Sequence, residues 1–334
     1  MKIAKDNSNI NPLLNLKNLV RDDLEKVDNL IYSLIASKIA LIPQISRHTI
    51  SSGGKRLRPI LTLASAKICG YQGSAHIELA ACVEFMHTAT LLHDDVVDKS
   101  DLRRGESTAN NLWGNKESIL VGDYLLGKSF DLMGAANSID IYKTLSNAAV
   151  IISEGEVMQL VATGNIDSDI DSYIKIISAK TAELFAASCQ IGAILANKND
   201  SEIYALRLYG LNLGIAFQLI DDLLDYFSTD KLLGKKIGDD FFEKKITLPI
   251  IIAYNQATED ERILLRKMMR NSTAEYKDFT QVLNIMNNYD IRQKVLKFAQ
   301  TYVVEAKNKL DIFANSELKT AFIDILDFTV NREF

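Results

Sequence analysis

Residues 77–98 read Ile-Glu-Leu-Ala-Ala-Cys-Val-Glu-Phe-Met-His-Thr-Ala-Thr-Leu-Leu-His-Asp-Asp-Val-Val-Asp, and this stretch decides the fold. Leu79, Ala80, Val83, Met86, Ala89, Thr90 and Leu91 recur at helical spacing, and the opposite face is nearly as apolar. A helix apolar on most sides is buried inside a larger bundle. The run then ends in three carboxylates. Residues three and four apart share a helix face, so Asp98 stands over Asp94 and Asp95. The same spacing returns at Asp221, Asp222 and Asp225, again behind an apolar run, 209–220.

The flanking chain agrees with a stack of long helices. Its four prolines are Pro12, Pro43, Pro59 and Pro249, so none falls between 60 and 248. Proline breaks helices and punctuates the turns of β-rich proteins. No run of strict alternation bounded by turn signals suggests a sheet. Candidate breaks at 51–59, 70–74, 102–114, 163–172, 197–201, 228–245 and 271–275 are too short and too complex to be domain linkers. The expectation is a flexible N-terminus over 1–12 and one all-α domain, a bundle of long helices, over 13–334.

Composition narrows the function classes. A net charge of −5 argues against broad nucleic-acid binding, which needs a basic face. Cys69, Cys82 and Cys189 lie in apolar sequence without metal-ligand spacing and read as buried thiols of a cytoplasmic protein. The longest uncharged stretch, 184–197, is 14 residues, short of the about 20 that a membrane span needs. The N-terminus lacks the apolar core of a signal peptide. A soluble protein is expected, reaching a membrane surface only through a lipid product.

Three carboxylates at the end of a buried helix repel one another unless a cation or hydrogen-bond donors sit between them. Oxygen-only ligands favour a hard cation, and Mg2+ is commonly shared between one or two carboxylates and a substrate phosphate. Either cluster alone could be a solvated helix end; the repeat with matched apolar run-ins favours a pair of metal clusters facing one another. Gly53-Gly54-Lys55-Arg56-Leu57-Arg58-Pro59 adds cations on a turn before a helix, with glycines that permit positive φ and a proline suited to the first helical position. Such a turn aims Lys55 and Arg58 at an anion. Arg103 and Arg104 follow the first cluster, and His87 lies two turns before Asp94. Lys180 and Thr181 interrupt an apolar segment. Gln218 precedes the second cluster, and Lys235 and Lys245 follow it. Singly, His87, Gln218 and Lys245 read as ordinary core or solvated residues; around two acidic clusters they read as a binding site.

These segments, with Leu-Arg-Arg-Gly at 102–105, Val-Gly-Asp-Tyr-Leu-Leu at 121–126, Glu-Gly-Glu at 154–156 and Lys-Thr-Ala at 180–182, resemble the trans-isoprenyl diphosphate synthases, or polyprenyl synthetases, over about residues 20–255. The resemblance implies helices around a deep central cavity and a homodimer. It also implies Mg2+-dependent condensation of isopentenyl diphosphate with an allylic diphosphate such as farnesyl diphosphate. By resemblance, Asp94, Asp95, Asp98, Asp221, Asp222 and Asp225 hold the metal on the allylic diphosphate. Arg103, Lys180, Thr181, Gln218, Lys235 and Lys245 are further allylic-side contacts, and Lys55, Arg58, His87 and Arg104 hold isopentenyl diphosphate. One departure stands out: the family usually has Gly before the last lysine, and here that residue is Lys244.

In short-chain members an aromatic residue commonly sits four or five positions before the first Asp. Here Thr90 and Ala89 are small, which favours a long product, with Met133 and Leu145 as the deeper floor. The wording of 84–98 looks closest to bacterial octaprenyl-type synthases that make quinone side chains. The alternatives are a shorter-chain synthase, making geranylgeranyl or farnesyl products, and a non-catalytic partner subunit, though such subunits tend to have eroded acidic motifs. A terpene cyclase usually lacks a second Asp-Asp-x-x-Asp, and a structural protein with acidic calcium-binding ends leaves the 53–59 turn unexplained.

Overall fold

The computed structural model describes residues 11–331 apart from 53, 229–236 and 272. Helix α1 (Pro12–Leu19) begins one residue earlier than expected, because the Asn11 side chain accepts from the Leu13 N–H at 3.0 Å and Pro12 presets the first turn. Then come α2 (Arg21–Leu34), α3 (Leu41–Ser51), α4 (Leu57–Ile68) and α5 (Ala75–Val97). A hairpin of two-residue strands, β1 (Leu102–Arg103) and β2 (Glu106–Ser107), follows, with Leu102 opposite Ser107. It lies in an expected break and is the only strand pairing among the described residues. Beyond it run α6 (Ala109–Trp113), α7 (Asn115–Ala135), α8 (Ile139–Ala162), α9 (Ile170–Ile177), a π-helical turn (Ser178–Ala182), α10 (Glu183–Leu195) and α11 (Asp200–Phe227). The chain closes with α12 (Asp239–Phe242), α13 (Leu248–Gln256), α14 (Glu259–Arg270), α15 (Tyr276–Asn288), α16 (Ile291–Lys309) and α17 (Glu317–Val330).

The helices expected to be apolar all round are the central ones. Helix α5 packs along α7 and α4, α10 along α11 and α4, and α11 along α16. In α10 every residue from Glu183 to Cys189 is buried, and in α11 Tyr209, Leu213, Ala216, Leu219 and Ile220 are all buried. Among the described residues α11 alone is long and apolar enough to cross a membrane, and 56% of that stretch is buried within the bundle, as in a core helix. One expectation is revised at 53–59: helix α4 starts at Leu57, so Pro59 is its third residue. Among the described residues of this turn, Arg56 takes the left-handed backbone (φ 51).

Two glycines let the central helices close on the π-turn. A Cβ on Gly155 of α8 would stand 2.6 Å from the Lys180 backbone nitrogen, and one on Gly214 of α11 would stand 2.5 Å from Ala182 Cα. The turn is therefore gripped from both sides by helices that approach to backbone contact. Single π-turns inside helices often coincide with functional sites; this one carries Lys180 and Thr181.

Candidate active site

The first acidic cluster sits on the last turn of α5, with Asp98 as its C-cap residue. Each carboxylate is met by a cation from a different segment. Arg103, on β1, donates to Asp95 Oδ1 from Nε (2.9 Å) and Nη2 (2.7 Å). Lys180 Nζ lies 3.8 Å from Asp94 Oδ2 and 2.6 Å from Glu156 Oε2 of α8. Lys245 Nζ donates to Asp98 Oδ2 at 2.9 Å and pairs with Glu243 at 2.6 Å. Burial and the neighbouring Asp98 charge push the Asp94 carboxyl above its usual range, with Lys180 acting the other way. Burial and then the Asp94 charge push Glu156 up to about 7.

The second cluster lies near the C-terminal end of α11. Asp222 is 5% exposed and held on both oxygens: Tyr173 Oη donates to Oδ2 at 2.5 Å and Gln218 Nε2 to Oδ1 at 2.6 Å. Gln218 Oε1 accepts from Thr181 Oγ1 at 2.9 Å. Burial, then the charge of Asp240, raise Asp222 to about 8. Asp225 accepts from the Asp240 backbone N–H at 3.1 Å. Lys245 is held above the usual lysine range, because Asp240, Asp98 and Glu243 together outweigh the opposing effect of burial.

The two clusters thus face one another across a narrow seam. Lys245 bridges Asp98 to the neighbourhood of Asp240 and Asp225. Lys180 and Thr181, adjacent on the π-turn, reach opposite sides, toward Asp94 and Gln218 respectively. The Lys244 departure leaves this geometry intact. Lys244 adopts the left-handed conformation itself (φ 62), its carbonyl accepts from the Gly164 N–H at 2.9 Å, and its ammonium reaches Met268 O at 3.1 Å over the Phe241 ring.

Beside the second cluster opens a cavity of about 1240 Å3, whose lining includes Lys55, Arg58, His87, Arg103, Arg104, Gln218, Asp221, Asp222 and Asp225. Arg58 stacks on Phe185 at 4.3 Å from the ring centroid and lies 3.1 Å from His87 Nε2. Its Nε is buried without a hydrogen-bond partner, and burial lowers its pKa to about 10. His87 is pushed well below the usual imidazole range by burial and by Arg58 and Arg104, so it is neutral and accepts from Arg58. Arg104 takes a left-handed backbone (φ 54), and its guanidinium would stand 3.2 Å from a Cβ on Gly54. Gly54 therefore serves close approach, with the left-handed turn itself on Arg56. The Arg56 guanidinium is spent on Glu84 Oε1 at 2.9 Å and Asp28 at 3.3 Å. Lys55 Nζ lies 5.9 Å from the Phe328 ring of α17, which closes the cavity with Asn331.

Lys235 and Gly53 lie outside the described residues. The four chain-length positions do not line this cavity; on α5 its wall is Glu84, His87, Thr88 and Leu91. Ala89, Met133 and Leu145 are buried core residues, and half-buried Thr90 donates its hydroxyl to the His87 carbonyl at 2.8 Å. Sequence reasoning assigned no role to Tyr173, Glu156, Asp240 or Glu84. Glu156 carried a signal in the Glu-Gly-Glu run. Tyr173 carried none, since a lone tyrosine on a short amphipathic helix looks like core.

The carboxylates suit a divalent cation. All donors are hard oxygens, and Asp222, raised by burial and Asp240, is met by neutral donors, leaving room for the positive charge that an ion would supply. Among the described residues no three such side chains converge as a metal-holding group.

The polyprenyl synthetase family model matches residues 39–286. The octaprenyl diphosphate synthase of Escherichia coli strain K12 is 37% identical over 95% of this chain and 98% of its own. The all-trans-nonaprenyl-diphosphate synthase of Rhodobacter capsulatus is 39% identical over 94% and 96%. The crystal structure of the Caulobacter crescentus polyprenyl synthase, complexed with calcium and isoprenyl diphosphate, superposes with a TM-score of 0.93 at 41% identity, covering 96% of this chain and 98% of that one. Two aspartate clusters, the second beside a cation-lined cavity, on a fold shared along nearly the whole chain, place this protein in the polyprenyl synthetase family, as a prenyltransferase of the trans-prenyl diphosphate synthase type.

Proposed function

We propose that the chain is a Mg2+-dependent synthase of long all-trans polyprenyl diphosphates, octaprenyl-like, that extends an allylic diphosphate such as farnesyl diphosphate with isopentenyl diphosphate for quinone side chains. The observation that carries the chemistry is the division of charge: carboxylates on both sides of the seam, and an arginine-lysine cavity beside it. Asp94, Asp95 and Asp98 with Asp221, Asp222 and Asp225 would hold Mg2+, which when bound offsets charge on the departing diphosphate. Lys180 and Lys245, now paired with Asp94 and Asp98, provide ammonium groups beside that diphosphate.

Arg58, Arg104 and Lys55 bind the diphosphate of isopentenyl diphosphate, and neutral His87 fixes the Arg58 fork by accepting from it. The allylic carbon–oxygen bond ionises, and the isopentenyl double bond attacks the resulting cation. The diphosphate just released takes the proton. Phe185, Phe217 and Leu91 give the cavity apolar walls that limit water near the cation.

A long product is supported by relatives named for octaprenyl and nonaprenyl products; a geranylgeranyl diphosphate synthase of Saccharolobus solfataricus, 34% identical, supports the shorter alternative. Exposed Leu120 and Phe130 on α7 and Val157, Leu160 and Val161 on α8 support a homodimer through these helices. A cytoplasmic protein that meets membranes through its product accords with this reading. The test is product analysis with Mg2+, labelled isopentenyl diphosphate and farnesyl diphosphate. A ladder ending near eight isoprene units is expected. A single short product overturns the long-chain reading, and no incorporation under varied metal and starter favours a non-catalytic partner subunit.

A further inference from the structure

Asp222 is held by neutral side-chain donors. Both of its oxygens accept short hydrogen bonds from side chains that are themselves constrained. Gln218 cannot rotate without releasing Thr181, and Thr181 sits on the π-turn gripped between Gly155 and Gly214. Tyr173 is 3% exposed, on α9, directly before that turn. Its hydroxyl joins α9, on the N-terminal side of the turn, to the second cluster. A phenol is large and has few torsions, and a buried one is fixed by packing, so its hydroxyl sets where Oδ2 lies.

We propose that Tyr173 is a positioning residue of the prenyl transfer, holding the Asp222 carboxylate in the orientation that receives a divalent cation and diphosphate. The inference rests on the reading of Asp222 as part of that site. Groups that orient a ligating carboxylate commonly change metal affinity or activity about 10- to 100-fold when removed. The Tyr173 hydroxyl donates to Asp222 and is itself met by the Leu248 backbone, so its orientation is fixed from α13 as well.

The test compares Tyr173→Phe with Tyr209→Phe. Tyr209 is likewise buried and donates its hydroxyl to Phe322 O at 2.8 Å, between α11 and α17, so its variant loses a buried hydroxyl of the same kind at a place unconnected with Asp222. Binding of Mg2+ with inorganic diphosphate is followed by calorimetry, and the Mg2+ dependence of turnover is measured alongside. The expected result is binding weakened about 10- to 100-fold in Y173F, a matching rise in the Mg2+ needed for half-maximal rate, and a KM for isopentenyl diphosphate within about twofold of wild type. Y209F is expected to bind as wild type does. Unchanged Mg2+ affinity in Y173F, or an equal loss in Y209F, overturns the positioning role while leaving the proposed reaction in place. A Y173F chain that loses its helical circular dichroism also overturns it, because the residue then serves the fold. Wild-type protein that neither binds Mg2+ with diphosphate nor turns over would instead overturn the reading of the site on which the inference rests.

Discussion

Replacing Gly214 with alanine tests whether the grip on the π-turn positions the site. The new methyl carbon would stand 2.5 Å from Ala182 Cα and 2.8 Å from Ala182 Cβ. Carbon atoms pack at about 3.5–4.0 Å, so α11 and the turn must separate by about 1 Å. The nearest atom belongs to the backbone and has no torsion that moves it aside. Overpacking of this kind costs about 1–3 kcal/mol, while alanine in place of glycine inside a helix returns about 1 kcal/mol. The net expectation is a loss of up to about 2 kcal/mol, visible as a lower urea midpoint at unchanged slope. Activity should fall further than stability does. Lys180 and Thr181 ride on the displaced turn, and a misplacement of about 1 Å can cost about 100-fold in rate. Rates are measured where both proteins are fully folded. A Gly214→Ala enzyme with wild-type kcat/KM would refute the idea that this contact sets the geometry of the site.

Lys244→Gly should retain activity and remain within about 1 kcal/mol of wild type, because relief of left-handed strain offsets loss of the Met268 hydrogen bond and the Phe241 contact. Lys244→Ala keeps the strain and loses the contacts, so a denaturation series placing it above Lys244→Gly would contradict this account. His87 is buried neutral, with a folded pKa well below that of the unfolded chain, so its contribution is complete above about pH 6.5. Stability falls as pH drops below that value, by up to about 1.4 kcal/mol per unit for this one group. His87→Gln should flatten the pH dependence of melting below pH 6.5; an unchanged profile would show that His87 is not its source.

The fold class and the chemistry were written in short-range pattern. Apolar residues on every side of 77–92 and 209–220 demand burial inside a helical stack, and Asp-Asp-x-x-Asp twice over states a metal-and-phosphate site wherever the helices end. Such signals survive in one dimension because helical period and charge repulsion act over a few residues. Tertiary structure decided what each charged group does. Arg56 and Arg58 belong to one motif and both line the cavity, yet Arg56 pairs with Glu84 and Asp28 while Arg58 stacks on Phe185 beside His87. Gln218, read as a substrate contact, is bound at both ends to Thr181 and Asp222. Ala89, Met133 and Leu145 are buried and do not line the cavity beside the second cluster, and an apolar residue in sequence does not reveal whether it meets a void or a neighbour. Tyr173 meets Asp222 across 49 positions of sequence, and only the packing of α9 against α11 brings the two together. Partners chosen at that range depend on how helices lie against one another, which no local periodicity encodes.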